Sequence, residues 1–264
     1  MDVPSISPDF LYASLGTAAA PLLIDVRREA AFEADPAMLA GAVRRRPEDV
    51  QAWLGAVPPG RPVIAYCVHG HEVSQGVVAA LREAGVDARF LTGGIEAWRE
   101  AGLPTRRKRG AMPSAWVTRE RPKIDRIACP WLIRRFIDPE ATFLYVPTDQ
   151  VLLTAAETGA IAYDIPGAEP FSHDGDLCSF DAVLAVYGLR DAALDRLATI
   201  VRGADTARPG LAPQAAGLLA ISLGLSANHP DDHAMLGHGM VVYDALFSWC
   251  RSLQAETHDW KQPS

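Results

Sequence analysis

Residues 65–76 read AYCVHGHEVSQG. Cys67 leaves a short apolar run, Gly70 follows between His69 and His71, and Glu72 opens a stretch of helical spacing. A cysteine between a strand and a helix sits where backbone N–H groups converge, and those donors together with the helix dipole favour an anion. They stabilise a thiolate. Such a loop suits attack on a sulfane sulfur, leaving a persulfide cradled by N–H donors. Gly70 lets the loop bend tightly with no Cβ in the way. Two other readings of Cys67 stand beside this one. It is an inert buried thiol, or it ligates a metal with His69 and His71, although a short loop with inward amides is poorly placed to aim three side chains at one ion.

The second half of the chain holds three more polar clusters. Asp125, Arg126, Cys129, Trp131, Arg134 and Arg135 fall on one expected helix. Arginines beside Cys129 suit an oxyanion held near a reducing thiol, and the plainer reading is an amphipathic helix with solvated arginines. The loop HDGDLC places His173, Asp176 and Cys178, three ligand types, within six residues. Asp176 or Ser179 serves there equally well as a helix cap. In NHPDDHAMLGHG, His229 and His233 are one helical turn apart, the spacing by which two imidazoles meet one ion. Asn228 or His229 before Pro230 also fits a cap with proline at the first helical position. A bound metal would be Zn²⁺ or another first-row divalent ion on His173, His229 and His233, with Cys178 and Asp176 as weaker donors. No motif demands a cofactor. Cys250 lies in ALFSWCRSL, core-helix sequence.

These residues need elements to position them. The first part alternates strand and helix signals. SPDFLYASLG reads as a helix, PLLIDVR and PVIAYC as buried strands, and PEDVQAWLGAV as a helix after its proline. EVSQGVVAALREAG shows helical spacing that stops at Gly85, DARFLTGG is a third strand, and IEAWREAG a short helix. Strands alternating with helices imply a wound α/β sheet of parallel strands. Residues 107–115, within a polar stretch broken by proline and glycine, form the expected linker between a domain at 1–106 and a second at 116–264. The second domain is expected to be α+β. It has a strand at 116–118, a helix near 125–137, strands in ATFLYVP and AIAYDIP, and a mostly helical C-terminal half.

The chain has 264 residues and a net charge of −7, which argues against a general nucleic-acid binder. The basic runs Arg44–Arg46 and Arg106–Arg109 read as solvated loop charge. Four scattered cysteines make no disulfide framework and point to reduced thiols in a cytoplasm. MDVPSISPDF has no signal-peptide character, and AAGLLAISLGLSA is too short to span a bilayer. Expected partners are a small-molecule sulfur donor or oxyanion and a thiol or protein sulfur acceptor, with neither nucleic acid nor membrane.

Residues from about 8 to 106 resemble a single rhodanese domain. LLIDVRREAAFE is similar to its first signature, CVHGHE to its active-site loop, and LTGGIEAWREAGLP to its closing signature. The resemblance implies sulfane-sulfur transfer through a persulfide on Cys67, with His69, Gly70, His71, Glu72 and Asp25 as loop and substrate-binding residues. Two departures stand out: only Gly41–Ala42 remains of the usual GHIPGA, and Glu72 stands where the family often has arginine. A carboxylate there repels thiosulfate, so a persulfide donor is easier to accept. From about 116 to 255, RPKIDRIACPWLIRRFID, FSHDGDLCSFDAVLAVYGL and SANHPDDHAMLGHGMVVYDAL resemble the C-terminal domain of chromate-resistance regulatory (ChrB-type) proteins. That resemblance implies a role in chromate resistance. The expectation is therefore a sulfurtransferase coupled to an oxyanion or metal stress response. The alternatives are a non-catalytic redox or chromate sensor and a metal-dependent enzyme in the C-terminal domain.

Overall fold

The computed structural model describes residues 3–110 and 112–256. One residue of the expected linker, and residues 257–264 of the expected second domain, lie outside them. The first part runs β1 (Ser5–Ile6), α1 (Pro8–Ser14), β2 (Leu22–Asp25), α2 (Glu29–Ala34), β3 (Ala37–Leu39), β4 (Val43–Arg44), α3 (Val50–Trp53), β5 (Val63–Tyr66), α4 (Glu72–Glu83), β6 (Ala88–Leu91), α5 (Gly94–Glu100) and β7 (Thr105–Arg107). Five strands form a parallel sheet in the order β1-β6-β5-β2-β4, and β3 pairs antiparallel with β7. β2 and β5 are buried at all four positions, as central parallel strands covered on both faces must be. One face packs Leu11, Leu39, Ile95 and Trp98, the other Val77, Val78 and Leu81 of α4. α4 closes at Gly85, whose positive φ lets the Val86 N–H reach back to the Leu81 carbonyl. PEDVQAWLGAV is less regular than its periodicity predicts. It forms a four-residue α3 between two 3₁₀ turns, curtailed by Pro58–Pro59.

The second part runs β8 (Ala115–Arg119), α6 (Asp125–Phe136), β9 (Thr142–Val146), α7 (Val151–Thr158), β10 (Ile161–Ala162), α8 (Ser179–Tyr187), α9 (Ala192–Asp205), α10 (Gln214–Asn228) and α11 (Asp232–Ser248). Its three strands are parallel in the order β10-β8-β9. The α+β expectation with a helical C-terminal half matches this architecture. α6 is the central helix, burying nine of its residues, including Cys129, Trp131 and Phe136. Pro130 removes the N–H that would bond the Arg126 carbonyl, and Tyr163 Oη donates to that carbonyl instead, at 3.3 Å. Among the described residues, no helix is long and apolar enough to cross a membrane.

The two parts are joined by specific contacts. The Gly41 N–H donates to the carbonyl of Phe136, one of the orphan acceptors at the α6 C-terminus, at 2.6 Å. Arg251 donates to the carbonyls of Tyr12 and Leu15, and Tyr12 Oη donates to Asp191. Ala40 is part of the core that holds Trp131 and Phe247. β7 extends into the expected linker: Arg107 pairs with Ala37, and its guanidinium donates to the carbonyls of Ala185 and Val186.

Gly41 has φ of +76°, and a Cβ there would lie 2.7 Å from the Arg135 carbonyl oxygen. Gly41→Ala is therefore expected to destabilise the protein by about 1–3 kcal/mol, from left-handed backbone strain and the clash with α6. Chemical denaturation of the full chain checks this, and an unchanged midpoint would contradict the docking described.

Candidate functional site

Cys67 follows the last residue of β5 and is 6% exposed. Its loop is shaped from outside by the start of α5. The N–H groups of Ile95 and Glu96 donate to the carbonyls of Cys67 and Val68, so these peptides point their oxygens away from the pocket. Gly94 is packed so closely that a Cβ would lie 2.4 Å from both carbonyl oxygens, and one on Gly70 would lie 2.5 Å from the Leu91 oxygen. The N–H groups from Val68 to Ser74 have no acceptor among the described residues, which leaves a row of free donors at the α4 N-terminus. A pocket of about 180 Å³ opens over Cys67, lined by Arg28, Ala31, His69, His71 and Glu72 among others.

Two residues of this site carried no sequence signal that singled them out. Ser74, buried in the first turn of α4, has its Oγ 3.2 Å from Cys67 Sγ and also donates to the His71 carbonyl. Arg28, at the start of α2, brings an exposed guanidinium to the pocket that holds Glu72, restoring a positive charge from another element. His69 and His71 are exposed, with ring centroids 5.9 Å apart. Asp25, expected among the loop and substrate-binding residues, is fully buried and does not line the pocket. It accepts from Arg27 and from Tyr66 Oη, and so acts on the site only through its neighbours.

The second domain builds a different site. His173 Nε2 lies 3.4 Å from Asp125 Oδ2, 3.3 Å from Asp164 Oδ1 and 3.2 Å from Asp205 Oδ2. Asp125, at the start of α6, and Asp164, after β10, are buried, and Asp205 ends α9. The contact with Asp125 lacks the alignment of a hydrogen bond, and Asp125 Oδ2 is buried with no hydrogen-bond partner. Arg119 and Arg126 pair with Asp164 Oδ2, and Ser179 donates to its Oδ1. The backbone is strained here, with positive φ at Ile124 and at Asp164. Burial pushes the Asp125 carboxyl up to about 8. The contact with Asp125, and then the charges of Asp205 and Asp164, hold His173 up at about 9.

This group replaces the expected ligand set. Asp125, Asp164 and His173 are the residues that converge with metal-ligand spacing among the described residues. His229 instead caps the end of α10 and stacks on His238 with ring centroids 4.0 Å apart, while His233 packs edge-on against Tyr145. Cys178 caps α8 with its Sγ on Asp181, and burial raises its thiol. Asp176 pairs with Arg208 at the surface. The oxyanion set on α6 also disperses, because its members point around a helix buried on most sides. Cys129 is core, with its thiol pushed up by burial. Arg134 lies over the Phe143 ring, Arg135 pairs with Asp244, and only Arg126 reaches the acidic group. Asp205 did carry one readable signal. An acid in the last turn of a helix opposes the dipole.

A family model described as ChrB, C-terminal domain, matches residues 116–250, and one described as Rhodanese-like domain matches residues 7–101. The chain is similar to Protein ChrB of Cupriavidus metallidurans, 38% identical over 134 residues that make up 50% of this chain and 40% of that protein. Among solved structures, a rhodanese-related protein from Thermoplasma volcanium is 24% identical, covering 39% of this chain and 96% of that one, with a TM-score of 0.34. A rhodanese-like domain protein from Staphylococcus aureus is 25% identical, covering 36% and 90%, with a TM-score of 0.33.

The acidic group has a pH signature. Asp125 and His173 are raised from ordinary values of 3.8 and 6.5, so near pH 7 the folded protein holds protons that the unfolded chain has released. Stability from these protons therefore falls as pH rises, until both groups have titrated near 8 and 9. Asp125→Asn removes the carboxyl part, so its decline between about pH 5 and 9 is expected to be shallower than the wild type's. Urea midpoints across that range measure it, and parallel profiles would contradict the assignment.

Proposed function

For a chain that belongs to the ChrB C-terminal domain family and carries a rhodanese-like domain ahead of it, we propose sulfur transfer through a persulfide on Cys67, acting with the C-terminal domain in the response to oxyanion or metal stress. The observation that supports this reading best is the row of N–H groups from Val68 to Ser74, without acceptors among the described residues, in the loop that follows Cys67 beneath a pocket open to a small donor. The Cys67 thiolate attacks the outer sulfur of a persulfide R–S–S⁻. A new S–S bond forms on Cys67, the donor's S–S bond breaks, and R–S⁻ leaves, with no net oxidation. The loop N–H groups and Ser74 Oγ bear on the terminal sulfur, where the negative charge resides. Arg28 draws an anionic donor to the mouth, against Glu72. An acceptor thiolate then takes the outer sulfur and returns the Cys67 thiolate.

Intact mass after exposure to glutathione persulfide, 3-mercaptopyruvate and thiosulfate tests this. The expected result is a gain of one sulfur with the persulfide donor, little with thiosulfate, and none in Cys67→Ser. Arg28→Gln is expected to slow loading by about 10-fold, in the range for one charged contact. No gain from any donor would leave a non-catalytic sensor as the better reading.

One observation favours a second reading alongside it: the unpartnered, buried Asp125 Oδ2 beside Asp164 and His173. Two carboxylates and one imidazole suit a first-row divalent cation. Elemental analysis of purified chain and of Asp125→Asn and His173→Gln is expected to show metal lost in both variants. Equal metal content in all three would remove this reading.

A further inference from the structure

Five residues of the two basic runs that read as solvated loop charge meet at one cavity, while Arg46 and Arg107 stay exposed outside it. Arg44 ends β4 and Arg45 follows it, Arg106 belongs to β7, and Lys108 and Arg109 come just after that strand. All five line one cavity of about 310 Å³ between the domains. The second domain contributes Asp138 and Glu140 to the same wall. Five cations thus share the wall with two carboxylates, and Arg44 pairs in addition with Glu29 at 3.2 Å. Asp138 accepts from the N–H and Oγ of Ser114 and from the N–H of Glu140, and Glu140 comes only to 3.8 Å from Arg45.

Arg106 makes the cavity unusual. Its side chain is buried, 2% exposed, yet it pairs with no carboxylate among the described residues. Its terminal nitrogens donate to the Ala42 and Arg107 carbonyls and to Met112 Sδ, and its Nε has no partner at all. A buried cation without an opposite charge is costly unless something compensates it. Two further cations crowd the same wall. Arg44 and Lys108 both lie over the Phe32 ring, at 4.5 and 3.8 Å from its centroid. Burial, and then the neighbouring Arg27, hold the Lys108 ammonium below its ordinary value. The rest of the wall is apolar, from Phe32, Met38, Val43, Met112 and Pro113.

We propose that this cleft binds a small organic anion with a tetrahedral dianionic head, of the phosphate-ester class, its head group on Arg106, Lys108 and Arg109 and its carbon body against Phe32 and Met112. The volume exceeds what a bare inorganic anion fills, and the mixed lining matches a charged head on an apolar body. Both domains and the segment between them build the cleft, so it exists only in the joined chain. It is a different site from the Cys67 pocket, from which α2 divides it: Arg28 and Ala31 line the pocket, and Phe32 lines the cleft.

Calorimetric titration of the full chain with phenyl phosphate and with inorganic phosphate, at about 0.15 M salt where exposed charges are well screened, tests the proposal. The expected result is one site per chain, with phenyl phosphate bound more tightly than inorganic phosphate. Lys108→Gln/Arg109→Gln, changed at the cleft mouth, is expected to weaken binding at least 10-fold, and Arg106→Gln to abolish it where that variant folds. Arg46→Gln, outside the cleft, leaves binding unchanged. No binding by the wild type, or equal binding by the double variant, overturns the proposal. So does loss of binding in Arg28→Gln with the double variant unaffected, which would place the anion in the Cys67 pocket.

Discussion

The buried guanidinium of Arg27 is the interaction on which the first domain's geometry depends. It is 1% exposed and held by Asp25 on β2 and by Asp35 after α2, each at 2.6 Å, and it donates to the Ala37 carbonyl at the start of β3. Burial alone would lower its basicity, and the hydrogen bond and charge of Asp25 outweigh that. Removing one member of such a pair leaves an uncompensated buried charge, at a cost of about 3–5 kcal/mol. Asp25 also accepts from Tyr66, the last residue of β5, whose oxygen accepts the Leu39 N–H. One ion pair therefore fixes the end of the strand that carries Cys67, the entry to α2 and the turn into β3. Asp35 extends the network to Arg99 on α5, the helix whose first turn holds the Cys67 loop from outside.

The second domain rests on α6 in a comparable way, with backbone irregularity in place of an ion pair. Ile124 adopts φ of +42° before the helix, a conformation costly for a β-branched residue. It is over-determined by its surroundings. Its N–H donates to Ser222 Oγ, and its carbonyl accepts from Tyr243 Oη at 2.7 Å. The result is that Asp125 enters the core rather than solvent, facing His173. A helix starting with ordinary geometry would send that first-turn acid outward, where the dipole favours it and water solvates it. The strain is thus tied both to the acidic group and to the packing of α10 and α11 against the start of α6.

The elements with strong periodicity were legible in the sequence. The buried runs of β2 and β5 and the helices α4 and α6 follow from spacing, and the glycine stops follow from backbone freedom. The short strands β3, β4 and β7 were not, because two or three residues carry no period and their pairing is long-range. The same limit governs the sites. Cys67, His69 and His71 are adjacent in sequence, so their loop could be read directly. Asp125, Asp164, His173 and Asp205 meet across separate connections, and the pairing of histidines at helical spacing pointed elsewhere. His229 and His233 are four apart in sequence, but His229 ends α10 and His233 lies in the first turn of α11, and each finds an aromatic neighbour. Four-residue spacing puts two side chains on one side only where a single helix carries both, and here the chain breaks between them.

The basic runs show why charge patterning is the weakest of these signals. A run of arginines in a loop is solvated unless something covers it, and nothing local to Arg44–Arg46 or Arg106–Arg109 reveals a cover. The cover is the second domain, brought over by the Gly41 contact with the end of α6. The net charge of −7 conceals the outcome, since it averages a cationic cleft with the acidic group around His173. α2 then matters more than its six residues suggest. Held at its entry by Arg27, it is a thin wall with the thiol pocket on one side and the cleft on the other. Any shift in how Phe32 packs beneath Arg44 and Lys108 must be taken up by the same short helix that positions Arg28 over Cys67. The joining of the two domains thus sets the electrostatics of a site that belongs to neither alone, one helix away from Cys67.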